Sequence, residues 1–82
     1  MDQKIGEITH YFSHISVGIV ELTAPLTKGA SVHIKGHTTD FTQLVDEIQI
    51  DHKTVDSAKK GDVIGIKVKE QVREGDEVFL IS

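Results

Sequence analysis

Histidine is the residue type in this chain best suited to metal chemistry, and its spacing does not favour a metal site. The chain has 82 residues, five of them histidine. His10 and His14 have the spacing of a metal pair on a helix, but their segment is predicted as strand and turn, where four residues span about 13 Å. His33 and His37 straddle Gly36 and are typical of a solvent-facing rim. Because there is also no cysteine and no His-Glu-x-x-His motif, we expect no metal and no cofactor.

The other reactive side chains form no recognisable catalytic arrangement. No serine lies in a Gly-x-Ser-x-Gly elbow, and no Gly-x-x-x-x-Gly-Lys-Ser/Thr loop is present for nucleotide phosphates. Carboxylates are plentiful but scattered, and the adjacent pair Asp46 and Glu47 would point to opposite faces of a strand. We therefore expect no catalytic residues and no enzyme activity of the chain by itself.

Length and charge limit the remaining classes of function. The chain has room for one domain, and we place an N-terminal tail at 1–4 and the domain at 5–82. Thirteen acidic residues against nine basic ones give a formal charge of −4, whereas binding of nucleic acid by charge alone favours a basic protein. The absence of cysteine, of a signal-peptide pattern and of a run of about 18 apolar residues predicts a cytoplasmic location.

Alternating apolar residues predict an all-β fold. Ile64, Ile66 and Val68 share one parity and Gly65, Lys67 and Lys69 the other, which is typical of a strand with one buried face. Strands are predicted at 5–12, 16–22, 31–36, 41–50, 63–69 and 77–81.

The phase of the alternation breaks once, within residues 41–50. A bulge near Asp46 and Glu47 would restore the phase, and two short strands with a kink would also explain it. Residues 56–60 are predicted to form one helical turn that Gly61 ends.

Three glycines precede β-rich segments and predict tight turns. Gly29, Gly61 and Gly75 can supply the positive φ of such turns, and Pro25 adds a rigid corner. Six short antiparallel strands remove their exposed edges by closing on themselves, so we predict a small closed, Greek-key-like six-stranded antiparallel barrel.

Partner contacts are predicted for one aromatic ring and several basic residues. Tyr11 and Phe12 are adjacent, so one ring should face outward, either as a stacking platform or as a cover for the barrel end. Four lysines at turns or outward positions could form a basic strip or an ordinary solvated face. The candidate partner-binding residues are Tyr11, His14, Lys28, Lys35, His52, Lys67 and Lys69.

Several segments together resemble a known domain. Residues 45–52 (Val-Asp-Glu-Ile-Gln-Ile-Asp-His), 61–69 (Gly-Asp-Val-Ile-Gly-Ile-Lys-Val-Lys) and 72–78 resemble the second domain of translational GTPases. The resemblance extends from about Ile5 to Ile81 and is to the elongation factor one-alpha and selenocysteine-specific elongation factor type. It implies a translation-protein β-barrel that helps to hold the aminoacyl end of tRNA, here without a GTPase domain and hence without nucleotide hydrolysis. The chain also resembles a similar barrel that is appended to U32-family peptidases, so the module can serve roles outside tRNA delivery.

Two hypotheses for function follow from this resemblance. The first is a stand-alone, monomeric translation-factor-like module that binds RNA, tRNA or a translation-associated protein. The alternative is a protein-interaction or scaffold accessory domain, like the one appended to U32-family peptidases, without affinity for nucleic acid.

Overall fold

Every regular element in residues 3–81, the part of the chain that the computed structural model describes, is a β-strand. Ile, Val and Thr dominate these strands because side chains branched at Cβ suit a pleated surface. The strands are β1 (Gln3–Phe12), β2 (Val17–Leu22), β3 (Leu26–Thr27), β4 (Ser31–Lys35), β5 (Asp40–Leu44), β6 (Ile48–Ile50), β7 (Lys53–Val55), β8 (Ser57–Ala58), β9 (Val63–Lys67) and β10 (Glu77–Leu80).

Eight of the strands form one antiparallel sheet in the order β5-β4-β10-β1-β2-β9-β6-β7, and β3 pairs with β8 separately. The predicted all-β class is confirmed. The predicted closed six-stranded barrel was not found, because among the described strands β5 and β7 stand at the two ends of the order. The short strands β3 and β8 exist through their pairing with each other, and β7 through a hairpin with β6. Alternation over two or three residues cannot reveal such strands.

One hydrophobic core lies against the inward faces of the large sheet. Val20, Val32, Ile34, Ile48 and Val78 have no solvent exposure, and they come from four different strands. Full burial of such a side chain contributes about 1.5–3 kcal/mol. The sheet therefore curves around a single core, and the outward residues of its strands remain available for other contacts.

The three predicted glycine turns are confirmed and share one geometry. Gly29, Gly61 and Gly75 have φ values of 91°, 93° and 91°. Each is the third residue of a turn closed by a bond from the fourth residue to the first, as in Ala30 N to Thr27 O at 3.2 Å.

Each of these glycines is also the first residue of a β-bulge. The amide of Gly61 donates to Leu22 O, while the amide of Leu22 donates to Asp62 O, both at 2.9 Å. Gly61 and Asp62 thus lie opposite the single residue Leu22, and the first of the two is a glycine at positive φ. The same exchange occurs at Gly29 and at Gly75.

An aspartate that follows the glycine stabilises two of these three turns. Asp62 Oδ2 accepts a hydrogen bond from the amide of Lys59 at 3.0 Å, and Asp76 Oδ2 accepts one from the amide of Arg73 at 2.8 Å. Ala30 holds this position in the first turn and packs against the core instead.

Three local predictions need correction. Residues 41–50 form two strands, β5 and β6, so the alternative of two short strands replaces the bulged strand. The predicted helical turn at 56–60 is wrong, because Ser57–Ala58 pairs with Leu26–Thr27. Strand β1 begins at Gln3, inside the predicted tail at 1–4. The rest of that tail, residues 1–2, and the last residue of the predicted domain, 82, lie outside the described part.

Candidate functional site

A side chain connects β5 to β9 where no backbone ladder does. Gln43 Nε2 donates to Lys67 O at 2.8 Å, and Gln43 Oε1 accepts from the amide of Lys69 at 2.9 Å. A single amide side chain thereby imitates one rung of a β-ladder. Because the backbones of β5 and β9 do not pair with each other, a hollow lies between the two strands.

Three hollows join into one groove along the outward face of β9. The first, of about 440 Å³, lies beside Gln43; the second, of about 270 Å³, shares Glu47 and Lys67 with it. The third, of about 250 Å³, shares Val17 and Gly65 with the second and ends near Val63. We call this surface, which runs from Leu44 past Lys67 and Gly65 to Val63, the outer groove.

The exposed large apolar side chains collect on this surface. Ile15, Leu44 and Val63 are 60%, 58% and 51% exposed, and all three line the outer groove. Phe12, 45% exposed, lies opposite Val17 in the β1–β2 pairing. These four are the exposed large hydrophobic residues of the described chain, and such clustering marks interaction surfaces.

The outer groove carries charges of both signs. Lys67 and Lys69 lie on its β9 side, with Asp46 and Glu47 across from them. Glu47 Oε1 accepts hydrogen bonds from Gln49 Nε2 at 2.8 Å and Thr54 Oγ1 at 3.0 Å.

The surroundings of Glu47 keep its carboxylate charged. The hydrogen bonds from Gln49 and Thr54 lower the pKa of Glu47 from its ordinary 4.5, and the nearby positive charges of Lys67 and Lys28 lower it further. Glu47 is therefore a fixed anionic contact in the middle of the outer groove.

The predicted basic residues divide between the outer groove and other surfaces. Lys67, Lys69 and His52 line the groove, and Lys28 is close enough to act on Glu47. Lys35 lies elsewhere, at the end of β4, opposite Asp40 on β5 and Glu77 on β10. A single strip of four lysines therefore does not form. Partner binding by any of these residues stays a prediction.

Of the two adjacent rings, Phe12 is the one that faces outward. Phe12 is exposed and packs against the ring of His10 at a centroid distance of 4.6 Å, whereas Tyr11 is half-buried and packs against the core. His14 is exposed in the turn between β1 and β2, next to Ile15. Tyr11 is thus the less suitable of the two rings for stacking.

The apolar residues of the outer groove were not among the predicted contacts. Val63 and Val17 are apolar although they lie at outward positions of their strands, and this break in the alternation was a signal of an exposed apolar surface. Ile15 and Leu44 carry no such signal, because their places in the groove depend on how a turn and a strand end meet β9.

Two negative findings concern residues 3–81. No group of three or more His, Cys, Asp or Glu side chains in this range is arranged to hold a metal ion. No helix there could cross a membrane.

Comparison with known proteins relates this chain to peptidases. It is 39% identical over 80 residues to an uncharacterized protease of Methanocaldococcus jannaschii. The aligned region covers 96% of this chain and 20% of that protease. It is 38% identical over 77 residues to a collagenase of Porphyromonas gingivalis, covering 92% of this chain and 21% of the collagenase. The chain thus spans about a fifth of these relatives. No family model matches it.

Solved structures identify the same kind of fold. The crystal structure of the C-terminal domain of a putative U32 peptidase from Geobacillus thermoleovorans superimposes with a TM-score of 0.91. The sequences are 18% identical, and the match covers 98% of this chain and 93% of that domain. A selenomethionine variant of that domain matches with a TM-score of 0.88 and 19% identity, over 93% of this chain and 96% of that one.

These findings decide between the two hypotheses. The assignment to domain 2 of a translational GTPase is wrong, because the relatives are proteases and collagenases and the structural matches are U32 peptidase C-terminal domains. The findings favour the alternative, because the fold of this chain is that of the C-terminal domain of a U32 peptidase and its sequence relatives are named a protease and a collagenase.

Proposed function

We propose that this chain is a non-catalytic accessory domain of the U32-peptidase type that binds protein through the outer groove. The observation that carries the proposal is the gathering of Ile15, Leu44 and Val63, all more than half exposed, along one continuous hollow. Exposed apolar residues beside a rim of charges are typical of protein-binding surfaces.

The charges of the groove favour protein over nucleic acid as the partner. Asp46 and Glu47 stand opposite Lys67 and Lys69, so a phosphate backbone in the groove would lie beside two carboxylates. Nucleic-acid binding gains most of its affinity from cations that neutralise phosphates, and this chain has a net charge of −4. A polypeptide carries charges of both signs and apolar groups, and matches such a surface better.

An exchange of domains tests this function. The segment of the P. gingivalis collagenase that is similar to this chain, 77 residues in length, would be replaced by this chain. We expect the chimera to hydrolyse collagen. The double substitution Leu44→Asp and Val63→Asp should then reduce that hydrolysis by about tenfold or more, as truncation of buried interface anchors does.

Two controls make the result of the exchange interpretable. Lys35→Glu, outside the groove, should leave collagen hydrolysis unchanged, and hydrolysis of a short synthetic peptide would show that the peptidase part remains folded. Equal collagen hydrolysis with and without the two aspartates would count against protein binding through the outer groove. So would a chimera that cleaves the short peptide and spares collagen.

A further inference from the structure

We propose that the occupant of the outer groove is a single extended polypeptide segment of about five residues that lies along β9. This inference rests on the proposed function and adds the conformation and chemistry of the partner. The segment has apolar side chains at alternate positions, with an acidic group that faces Lys67 and a basic group that faces Glu47.

The outward residues of β9 set the length and period of the site. Val63, Gly65 and Lys67 follow one another at every second position of β9, and Lys69 comes just after the end of the strand; each of the four lines at least one of the three hollows. At about 3.3 Å per residue, the four steps from Val63 to Lys67 span roughly 13 Å. An extended chain has the same repeat, so its alternate side chains match these positions one for one.

Gly65 allows close approach at the middle of the groove. Its φ is not in the positive region, so no backbone conformation demands glycine there. A Cβ at this position would lie 3.3 Å from Val17 Cγ1 and 3.6 Å from Ile19 Cδ1. Glycine inside a strand often marks the place where another backbone comes near. Here the missing side chain leaves an apolar floor bordered by Val17 and Ile19.

The two walls of the groove define the charges of the occupant. Lys67 lies on the β9 side, and Glu47, held ionised by Gln49 and Thr54, lies on the opposite side. A segment with an acidic and a basic side chain near its centre pairs with both. A segment with only one kind of charge would leave one of the two wall charges facing a like charge or nothing.

The dimensions favour a strand over a folded surface. Stable interfaces between folded proteins bury about 800 Å² on each partner, and the accessible surface of this chain is 5178 Å² in all. The outer groove follows one strand, β9, and the exposed apolar side chains of Ile15, Leu44 and Val63 line it.

NMR titration of the isotope-labelled chain tests the inference directly. The probe is a blocked peptide of about eight residues with valine at alternate positions and one Lys and one Glu near the centre. A second peptide has both charged residues replaced by Gln. At low salt we expect chemical-shift changes at Ile15, Leu44 and the amides of β9, and binding of the neutral peptide weaker by about three- to tenfold.

Two variants of the chain complete the test. Lys67→Glu should weaken binding of the charged peptide by about tenfold and leave the neutral peptide almost unaffected. Lys35→Glu makes the same change of charge outside the groove and should have no effect. Absence of shifts in the outer groove at millimolar peptide overturns the inference, and so does equal binding of the charged and neutral peptides.

Failure of this inference is distinguishable from failure of the proposed function. If the aspartate substitutions abolish collagen hydrolysis by the chimera but peptides do not bind the groove, the groove contacts a folded partner and the extended-segment proposal is wrong. Spectra of the chain alone that change with its concentration, at these same residues, would point to a second copy as occupant and also contradict it.

Discussion

At the scale of single residues, two carboxylates with hydrogen-bond partners have different roles. Asp76 is almost fully buried, and its Oδ2 accepts the Arg73 amide at 2.8 Å. A Cβ added to Gly36 would come within 2.6 Å of Asp76 Cγ, so the carboxylate fills space that glycine leaves free. Glu47, by contrast, is exposed and serves the outer groove. Asp76 is therefore expected to matter for stability and Glu47 for binding.

Replacement of Asp76 tests its structural role. Asp76→Ala removes the acceptor for the Arg73 amide and opens space beside Gly36, so we expect a loss of about 1–3 kcal/mol in the free energy of unfolding. Urea denaturation measures this change. The matched substitution Asp62→Ala, in the equivalent but less buried turn, should cost less. Equal costs for the two would show that burial of Asp76 is not what matters.

The pKa of Glu47 tests its hydrogen bonds. Because the folded pKa lies below the ordinary value of 4.5, the contribution of Glu47 to stability is present above the unfolded pKa and is lost as pH falls through the folded pKa. Gln49→Ala combined with Thr54→Val should raise the pKa of Glu47 toward 4.5. Titration of the side-chain carboxyl carbon by NMR measures both values. A pKa of 4.5 or above in the unsubstituted chain would rule out the described geometry.

At the scale of elements, a shared turn and bulge position three strands, and one side chain connects β5 to β9. The turns at Gly29, Gly61 and Gly75 direct the chain into β4, β9 and β10. Where β5 and β9 meet, Gln43 takes the place of a ladder. The outer groove exists because this connection is a side chain and not a strand pair.

Substitution of Gly61 separates backbone conformation from packing. A Cβ at Gly61 would meet nothing within 4 Å, so Gly61→Ala changes the free energy of unfolding only through the positive φ. We expect a loss of about 1–2 kcal/mol, with a smaller loss for Gly61→Asn because asparagine tolerates this region better. Thermal denaturation compares the two variants, and a more stable Gly61→Ala would contradict the turn geometry.

Removal of the Gln43 side chain should loosen the contact between β5 and β9. Gln43→Ala leaves Lys67 O and the Lys69 amide without their partner, and a hydrogen bond of this kind contributes about 1 kcal/mol. We therefore expect amide hydrogen exchange at Lys69 to accelerate about fivefold or more. The amide of Ile64 in β9, which pairs with β2, serves as internal control. Unchanged exchange at Lys69 would show that Gln43 does not close this part of the sheet.

Some elements were predictable because their signals are local. The alternation of residues 63–69 gives the two faces of β9, and a glycine before a β-rich segment indicates a positive-φ turn. The division of residues 41–50 into β5 and β6 was harder to predict, since the side chain of Gln43, and not a backbone hydrogen bond, connects β5 to β9. Strand β8 was not predictable, because Ser57–Ala58 is a strand only through its pairing with β3.

At the scale of the whole molecule, the outer groove could not be read from any one segment. Its borders come from the β1–β2 turn, the end of β5, the 45–47 loop and the start of β9, which only the fold brings together. The resemblance to translation factors rested on residues 45–52, 61–69 and 72–78, which form β6, β9, the start of β10 and the turns beside them. Such positions report the geometry of a sheet and do not identify its partner.

Collagen hydrolysis by the P. gingivalis chimera is the most direct test of protein binding through the outer groove. With this chain in place of the matched segment, collagen should be cleaved, and Leu44→Asp with Val63→Asp should reduce that cleavage by about tenfold or more, while Lys35→Glu leaves it intact. If the two aspartates in the groove leave collagen cleavage unchanged while the chimera remains folded, the outer groove is not where this domain binds protein.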